Sequence, residues 1–163
     1  MKAIYVAQSN IVGKGLFAGE SINAGEIVFV MTGEVIEISI NSYEEAMADP
    51  DIMGIGKNTW IAPPPPFLYI NHSCRPNTGI KGELTFVALR NINRDEELTF
   101  DYSISEDSLW EMECKCGEKN CRKVIRSIQF LPEDVFNKLL PFIPEYFQKV
   151  YREYHNAPKL GRQ

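Results

Sequence analysis

The sequence lacks any apolar run near the roughly 18 to 20 residues that a membrane helix needs. Its longest uninterrupted apolar stretches, such as Ile27 to Met31 and Phe67 to Ile70, are far shorter, so no membrane span is expected. The opening Lys2-Ala3-Ile4-Tyr5-Val6 reads as strand, without the apolar core of a secretory signal. Export therefore has no support; the default location is intracellular and cytoplasmic, with a nuclear or secreted-effector destination left open. An excess of positive charge is also lacking: 17 Lys and Arg against 22 Asp and Glu give a net charge of −5. That balance argues against direct nucleic-acid binding through a broad phosphate-contacting surface and suits a basic partner better. No internal repeat is evident, and no low-complexity tract beyond Pro63 to Pro66. The prolines read either as a stiff segment presenting a ligand or, more simply, as a connector across the surface.

What is present suffices for one folded unit. The 163 residues are about one domain's worth, and 44% hydrophobic content can build a core. Strand-like runs recur at Ala3 to Val6, Glu26 to Met31, Glu34 to Ile38, Thr59 to Ala62, Leu84 to Leu89 and Glu97 to Phe100, separated by Gly, Asn, Asp and Pro. The body is therefore expected to be mostly β. A short helix is expected from the capping box Ser42 to Glu45, stopped at Asp49-Pro50. Beyond Leu131 the pattern turns helical. Pro132-Glu133-Asp134 starts one helix with Val135, Phe136, Leu139 and Leu140 on one side; a second begins near Pro144 with Phe147, Val150, Tyr151 and Tyr154 at helical spacing. That spacing predicts packing onto the body, with a frayed tail from Asn156.

All four cysteines are accounted for by one pattern. Cys114, Cys116 and Cys121 form C-x-C-x4-C with Gly117 in the turn, and Cys74 lies upstream. Four thiolates suit a tetrahedral, closed structural zinc site. Closing the loop of about 40 residues from Cys74 to the triplet costs roughly 3 kcal/mol plus a constant. Structural zinc contributes about 10 to 16 kcal/mol in peptide hosts, which exceeds that cost. Two disulfides or buried free thiols are the alternative, although a Cys114–Cys116 bridge would be strained.

Asn71-His72-Ser73-Cys74-Arg75-Pro76-Asn77 and Glu97-Leu98-Thr99-Phe100-Asp101-Tyr102 resemble the two signature segments of SET-domain protein-lysine methyltransferases, and the cysteine triplet resembles their post-SET extension. Gly13-Lys14-Gly15-Leu16-Phe17-Ala18 is similar to the family's first cofactor-binding stretch, and Ala24-Gly25-Glu26 with Gly33-Glu34-Val35-Ile36 to the strand pair after it. The resemblance runs from about residue 3 to residue 124. It implies a mostly β (α+β) fold in which the two signature segments form a pseudoknot, divided into a SET domain (1–110), a post-SET zinc segment (111–126) and a C-terminal helical extension (127–163).

The resemblance also implies S-adenosylmethionine as methyl donor, one structural Zn²⁺ on Cys74, Cys114, Cys116 and Cys121, and a protein or peptide substrate offering an exposed lysine. Tyr102 would be the catalytic residue. Lys14, Gly15, Leu16, Asn71, His72, Tyr102, Trp110 and Lys115 would meet the cofactor. Glycines at 13 and 15 would let backbone approach it, and Trp110 and Met112 would either cover the adenine or simply pack. Met31, Tyr69 and Phe100 would wall the lysine channel, with Phe100 leaving room for higher methylation states. Two positions depart from the family pattern: Met31 replaces a tyrosine of the segment E-Y-x-G-E, and Leu68 stands where an arginine often precedes the Asn-His pair. These departures motivate the alternative of an inactive SET-like module that binds peptide or cofactor only. A zinc-containing nucleic-acid binder is a third reading, disfavoured by the acidic balance.

Overall fold

Two short sequences 70 residues apart, Ala18 to Glu26 and Ala88 to Glu96, share the pattern A-x-x-x-I-N-x-x-E and set the frame of the fold. In the computed structural model, which describes residues 1–38 and 51–157, they adopt the same turn. Ile22 and Ile92, both buried, form an antiparallel bridge with reciprocal hydrogen bonds of 2.9 and 2.8 Å. In each turn the glutamate carboxylate accepts the asparagine N–H, Asn23 to Glu26 at 2.7 Å and Asn93 to Glu96 at 3.1 Å. The residue before the glutamate is left-handed in both, Gly25 at φ 83° and Asp95 at φ 66°. The expectation of no internal repeat is thus corrected: nine residues with four identities are too short a signal to stand out, and the shared geometry exposes them.

Each turn joins two strands, and the partners are exchanged. Strand β2 (Lys14–Ala18) enters the first turn and β3 (Ile27–Val30) leaves it; β9 (Thr85–Ala88) enters the second and β10 (Glu97–Phe100) leaves it. β10 pairs antiparallel with β2, and β3 with β9. Around these lie β1 (Ile4–Gln8), β7 (Asn71–His72) and β8 (Thr78–Lys81), giving a sheet β1-β2-β10-β7 and a sheet β3-β9-β8. A third sheet, β4-β6-β5, contains β4 (Glu34–Glu37), β5 (Met53–Gly56) and β6 (Thr59–Ala62). β11 (Glu111–Glu113) and β12 (Val124–Arg126) form a separate antiparallel pair. The core fills the space between sheets with Leu16, Ile22, Phe29, Ile61, Phe86, Ile92 and Leu98, each at most 1% exposed. Phe29, Phe86 and Phe100 form a ring ladder with centroids 4.6 and 5.3 Å apart, so the two exchanged strand pairs meet through aromatic contacts.

The fold is mostly β, as expected. Thr59–Ala62 and Glu97–Phe100 have the expected bounds. The first strand runs later, Ile4–Gln8, and the runs at 26–31, 34–38 and 84–89 are trimmed at their ends. β2, β5, β7, β8, β11 and β12 were not expected as strands. β5 and β8 carry glycines where close packing demands them: a Cβ at Gly54 would overlap the Ser105 carbonyl, and one at Gly79 would press into Phe142. The helix expected from Ser42 to Asp49 lies outside the described residues. The proline run is a connector, leading into a single 3₁₀ turn, Phe67–Tyr69, whose Phe67 is buried.

Both C-terminal helices form and pack onto the body. α1 (Glu133–Leu139) buries Phe136 and Leu139, and α2 (Glu145–Asn156) buries Phe147 and Tyr151, with acidic residues in the first turn of each. Full burial of Phe147 alone contributes about 1.5 to 3 kcal/mol. Helix α2 ends at Asn156, and of the tail expected to fray from there, residues 158–163 lie outside the described ones. Among the described residues no helix is long and apolar enough to cross a membrane.

Candidate active site and metal centre

The two signature segments meet because their own polar side chains join them. β7 pairs in parallel with β10, Asn71 opposite Thr99 and His72 opposite Phe100. Buried Asn77 accepts the Thr99 N–H at 2.8 Å and donates to the Glu97 carbonyl at 2.7 Å, and the Thr78 hydroxyl donates to the Thr99 carbonyl at 2.8 Å. A short asparagine side chain with both ends used in this way fixes register between distant segments.

Asn71 performs a similar task on the other side. Its Nδ2 lies 2.8 Å from Glu97 Oε1, 3.0 Å from the Lys14 carbonyl and 3.3 Å from the Val12 carbonyl. Glu97 also accepts from the Ser9 hydroxyl at 2.8 Å. A Cβ at Gly15 would overlap the Glu97 carboxylate, so a larger residue there would displace that carboxylate from its Ser9 and Asn71 partners. Gly13 instead needs its left-handed φ of 52°. Close approach at Gly15 is thus to Glu97, a residue within the same network.

Tyr102 follows directly. Its N–H donates to His72 Nδ1 at 3.1 Å, so His72 is the Nε2–H tautomer, and that nitrogen lies 3.3 Å from Cys74 Sγ as a donor. Burial pushes His72 down to about 4; nearby Asp101 opposes the shift and Arg122 adds to it, leaving the ring neutral at ordinary pH. The Tyr102 hydroxyl donates to the Ile70 carbonyl at 2.8 Å, and its ring is 5.0 Å from Phe100 and 6.5 Å from Trp110. Burial, with the Glu97 charge adding, pushes the Tyr102 hydroxyl far above its ordinary value. It remains a neutral phenol.

A hollow of about 260 Å³ opens beside His72 and Tyr102, lined also by Ile11, Val12, Asn71, Met112, Glu113, Lys115 and Ile125. Of the residues expected at the cofactor, Asn71, His72, Tyr102 and Lys115 line it. Lys14, Gly15, Leu16 and Trp110 do not. Leu16 is fully buried in the core, Lys14 lies over the Tyr69 ring at 5.2 Å, and Trp110 packs in the cysteine cluster. Met31 and Phe100 are buried within the core, whereas Tyr69 is partly exposed.

The four cysteine sulfurs lie within 4.8 Å of one another, and Cys74 Sγ is 3.7 Å from Cys114 Sγ. Zn–S bonds of about 2.3 Å in a tetrahedron require sulfurs about 3.8 Å apart, so the set fits zinc. Backbone N–H groups of Arg122 and Lys123 point at Cys74 and Cys121 sulfurs, both at 3.4 Å, as expected around thiolates. Burial raises the Cys74 and Cys114 thiols, a condition that a divalent cation reverses. The four cysteines are unpaired, which removes the disulfide alternative. Sequence reading placed residues 111–126 around the metal, with Lys115 at the cofactor; a further connection of this segment, through Arg122, was missed. Arg122 Nη2 donates to Asp101 Oδ1 at 2.6 Å, and Asp101 is fully buried. Ser9, Glu97, Asp101 and Arg122 were all missed as site residues, although three of them lie within or beside recognised motifs.

Comparison with known proteins agrees with this arrangement. Human histone-lysine N-methyltransferase 2B is 34% identical over 145 residues, covering 76% of this chain and 5% of that protein. The H3 lysine-36 specific histone-lysine N-methyltransferase of Debaryomyces hansenii is 33% identical over 138 residues, 74% of this chain and 19% of the relative. The chain thus spans a small part of these relatives' length. Among solved structures, KRYPTONITE in complex with mCHH DNA, an H3(1-15) peptide and SAH matches with a TM-score of 0.61 and 26% identity over 77% of this chain and 30% of the other. ctPRC2 bound to S-adenosylmethionine matches with a TM-score of 0.54 and 26% identity over 66% and 16% of the two chains. The SET domain family model matches residues 13–103, which span the exchanged strands, both signature segments and Tyr102, and the chain belongs to the SET-domain family.

Proposed function

We propose that this chain transfers a methyl group from S-adenosylmethionine to a lysine side-chain amine of a basic protein, histones being the leading substrate class. The observation that carries the reading is the Tyr102 hydroxyl, held on the Ile70 carbonyl at 2.8 Å between Phe100 and a hollow that His72 and Lys115 also line. Apolar Ile11, Val12, Met112 and Ile125 suit a nucleoside, and Lys115 beside Glu113 suits a zwitterionic amino-acid end. Both ring nitrogens of His72 are already used, so Asn71 and His72 would serve the cofactor chiefly through backbone.

The cofactor supplies an electrophilic sulfonium methyl. The chain's own residues must align the amine in line with it and exclude water. A lysine of pKa about 10.4 must first lose its proton, which near pH 7.5 costs about 4 kcal/mol. Because Tyr102 stays a neutral phenol, it orients and does not remove the proton; a dry site next to a cation disfavours a second positive charge and lowers that cost. Phe100 offers no hydroxyl to restrain a methylated amine, and Met31 supplies none in place of the family's tyrosine. Dimethyl- and trimethyl-lysine are therefore accepted products, and mass spectrometry finding only monomethyl-lysine after exhaustive reaction would reject this point.

In this reading residues 1–110 form the SET domain, 111–126 the zinc segment and 127–163 a helical extension, and four cysteines built for a metal favour an intracellular site of action. The decisive test incubates zinc-loaded protein and Tyr102→Phe with radiolabelled S-adenosylmethionine and lysine-rich proteins, histone H3 included. Label should appear on lysine and fall about 100-fold or more in the variant, with melting unchanged. Absence of both label and cofactor binding would favour the inactive binding module.

A further inference from the structure

We propose that Arg122 and Asp101 are a positioning pair through which the cysteine loop fixes the hydroxyl of Tyr102, an inference that rests on the methyltransferase reading above. Two arms run from Cys74 to Tyr102. In the first, His72 bridges the Cys74 sulfur to the Tyr102 N–H. In the second, the Arg122 N–H donates to the same sulfur while the Arg122 guanidinium holds Asp101 Oδ1 at 2.6 Å. That oxygen also accepts the Ser103 N–H at 3.1 Å and so caps the 3₁₀ turn, Tyr102–Ser105, in which Tyr102 is the first residue. Tyr102 is thus held through both peptide groups that flank its Cα; both arms end on the Cys74 sulfur, and the second reaches it through the cysteine loop.

Stability alone does not account for the pair. Asp101 is 0% exposed and the Arg122 side chain 14%, and taking both charges out of water is costly. The contact uses one guanidinium nitrogen, and Asp101 Oδ2, Arg122 Nε and Arg122 Nη1 have no protein partner among the described residues. A buried pair of this kind is often matched or exceeded in stability by neutral residues of similar volume. What neutral residues do not supply is direction: the guanidinium orients the carboxylate that caps the Tyr102 turn. Methyl transfer is sensitive to that direction, because misplacement by about 1 Å can cost on the order of 100-fold in rate.

The test is the double variant Asp101→Asn with Arg122→Met, which removes both charges together, compared with each single change. Zinc per chain, melting temperature, steady-state constants for peptide and cofactor, and a crystal structure are read on the same preparations. The expected double variant keeps one zinc per chain and melts within a few degrees of the parent. Its kcat falls about 100-fold with little change in either KM, and its Tyr102 hydroxyl has left the Ile70 carbonyl. Recovery of parental kcat with the hydroxyl still on Ile70 would overturn the proposal, leaving the pair a purely structural one. Loss of zinc or of folding in the double variant would also overturn it, because the pair would then serve the loop itself. If the parent protein transfers no methyl group, the methyltransferase reading fails, and the position of the Tyr102 hydroxyl in the crystal still decides the positioning claim.

Discussion

The turn at Ile22 to Glu26 and the turn at Ile92 to Glu96 are built alike, yet the strands that leave them lead to different places. Both close on the same Asn-to-Glu contact, and both bond back to an alanine: Gly25 N–H to Ala88 and Asp95 N–H to Ala18, each at 2.8 Å. After the first turn, β3 delivers Val28 and Phe29 to the apolar core and ends. After the second, β10 delivers Leu98 and Phe100 to the same core, and the next residues, Asp101 and Tyr102, enter a polar network that ends on sulfur. One local design thus serves two ends, and chemistry arises where a core strand runs on into partners drawn from elsewhere in the chain.

Breaking the sulfur end should have the largest effect. Cys114→Ser removes one of four ligands from a type of site worth about 10 to 16 kcal/mol in peptide hosts, which exceeds the whole stability of most domains. Zinc content should fall below one per chain, and the β11–β12 pair should lose its protection from hydrogen exchange before the core. Protection that stays unchanged there would mean that packing around Ile125 and Trp110 holds the segment unaided.

Breaking the shared core comes next. Phe86 touches the rings of both Phe29 and Phe100, so Phe86→Ala should destabilise by about 3 to 5 kcal/mol in denaturant titration while zinc stays bound. Loss of zinc in step with stability would show that the two ends are not separable.

At the turns themselves the effects are smaller and asymmetric. Gly25→Ala places a side chain at φ 83°, where space is open and only backbone strain matters, and should cost about 1 kcal/mol. Asp95→Gly relieves the matching strain at φ 66° but loses the Tyr5 hydroxyl contact of 2.9 Å, so the net change should stay within about 0.5 kcal/mol.

Acid should act on both turns together, with the least effect. Backbone bonding to Asn23 chiefly holds the Glu26 carboxyl below its ordinary value; at Glu96, burial opposes the shift and bonds from Arg90, Asn93 and Asn77 outweigh it. A carboxyl with a lowered folded pKa stabilises fully above its unfolded value and loses that contribution as pH falls through the folded one. The protection of the Asn23 and Asn93 amides, taken relative to their intrinsic exchange rates at each pH, should therefore fall together below about pH 4.5. Loss of protection at one turn alone would break the equivalence.

The sequence made some of this legible and hid the rest for identifiable reasons. Cysteine spacing and the Asn71 and Tyr102 segments declare themselves, because metal ligation and catalysis need particular residue types. β5 and β8 were hidden because Gly54 and Gly79 answer to Ser105 and Phe142, neighbours far away in sequence. Glu97 and Asp101 stood inside a recognised motif, but their partners Ser9 and Arg122 come from opposite ends of the family-like region. Lys14 and Leu16 were named for the cofactor on motif position; what the motif did not reveal is that Leu16, paired with Val6 and Leu98, turns its side chain into the core.

The N–H donors around the cysteine sulfurs bear on chemical self-protection. Thiolates are good nucleophiles, and Cys74 is two residues from His72, which borders the hollow proposed for an alkylating cofactor. His72 Nε2 and the Arg122 N–H both donate to the Cys74 sulfur, and the Lys123 N–H to that of Cys121. Such bonds withdraw electron density from sulfur, as does a bound cation, and nucleophilicity falls with basicity. The same bonds that orient the site thus also lower the nucleophilicity of its sulfurs.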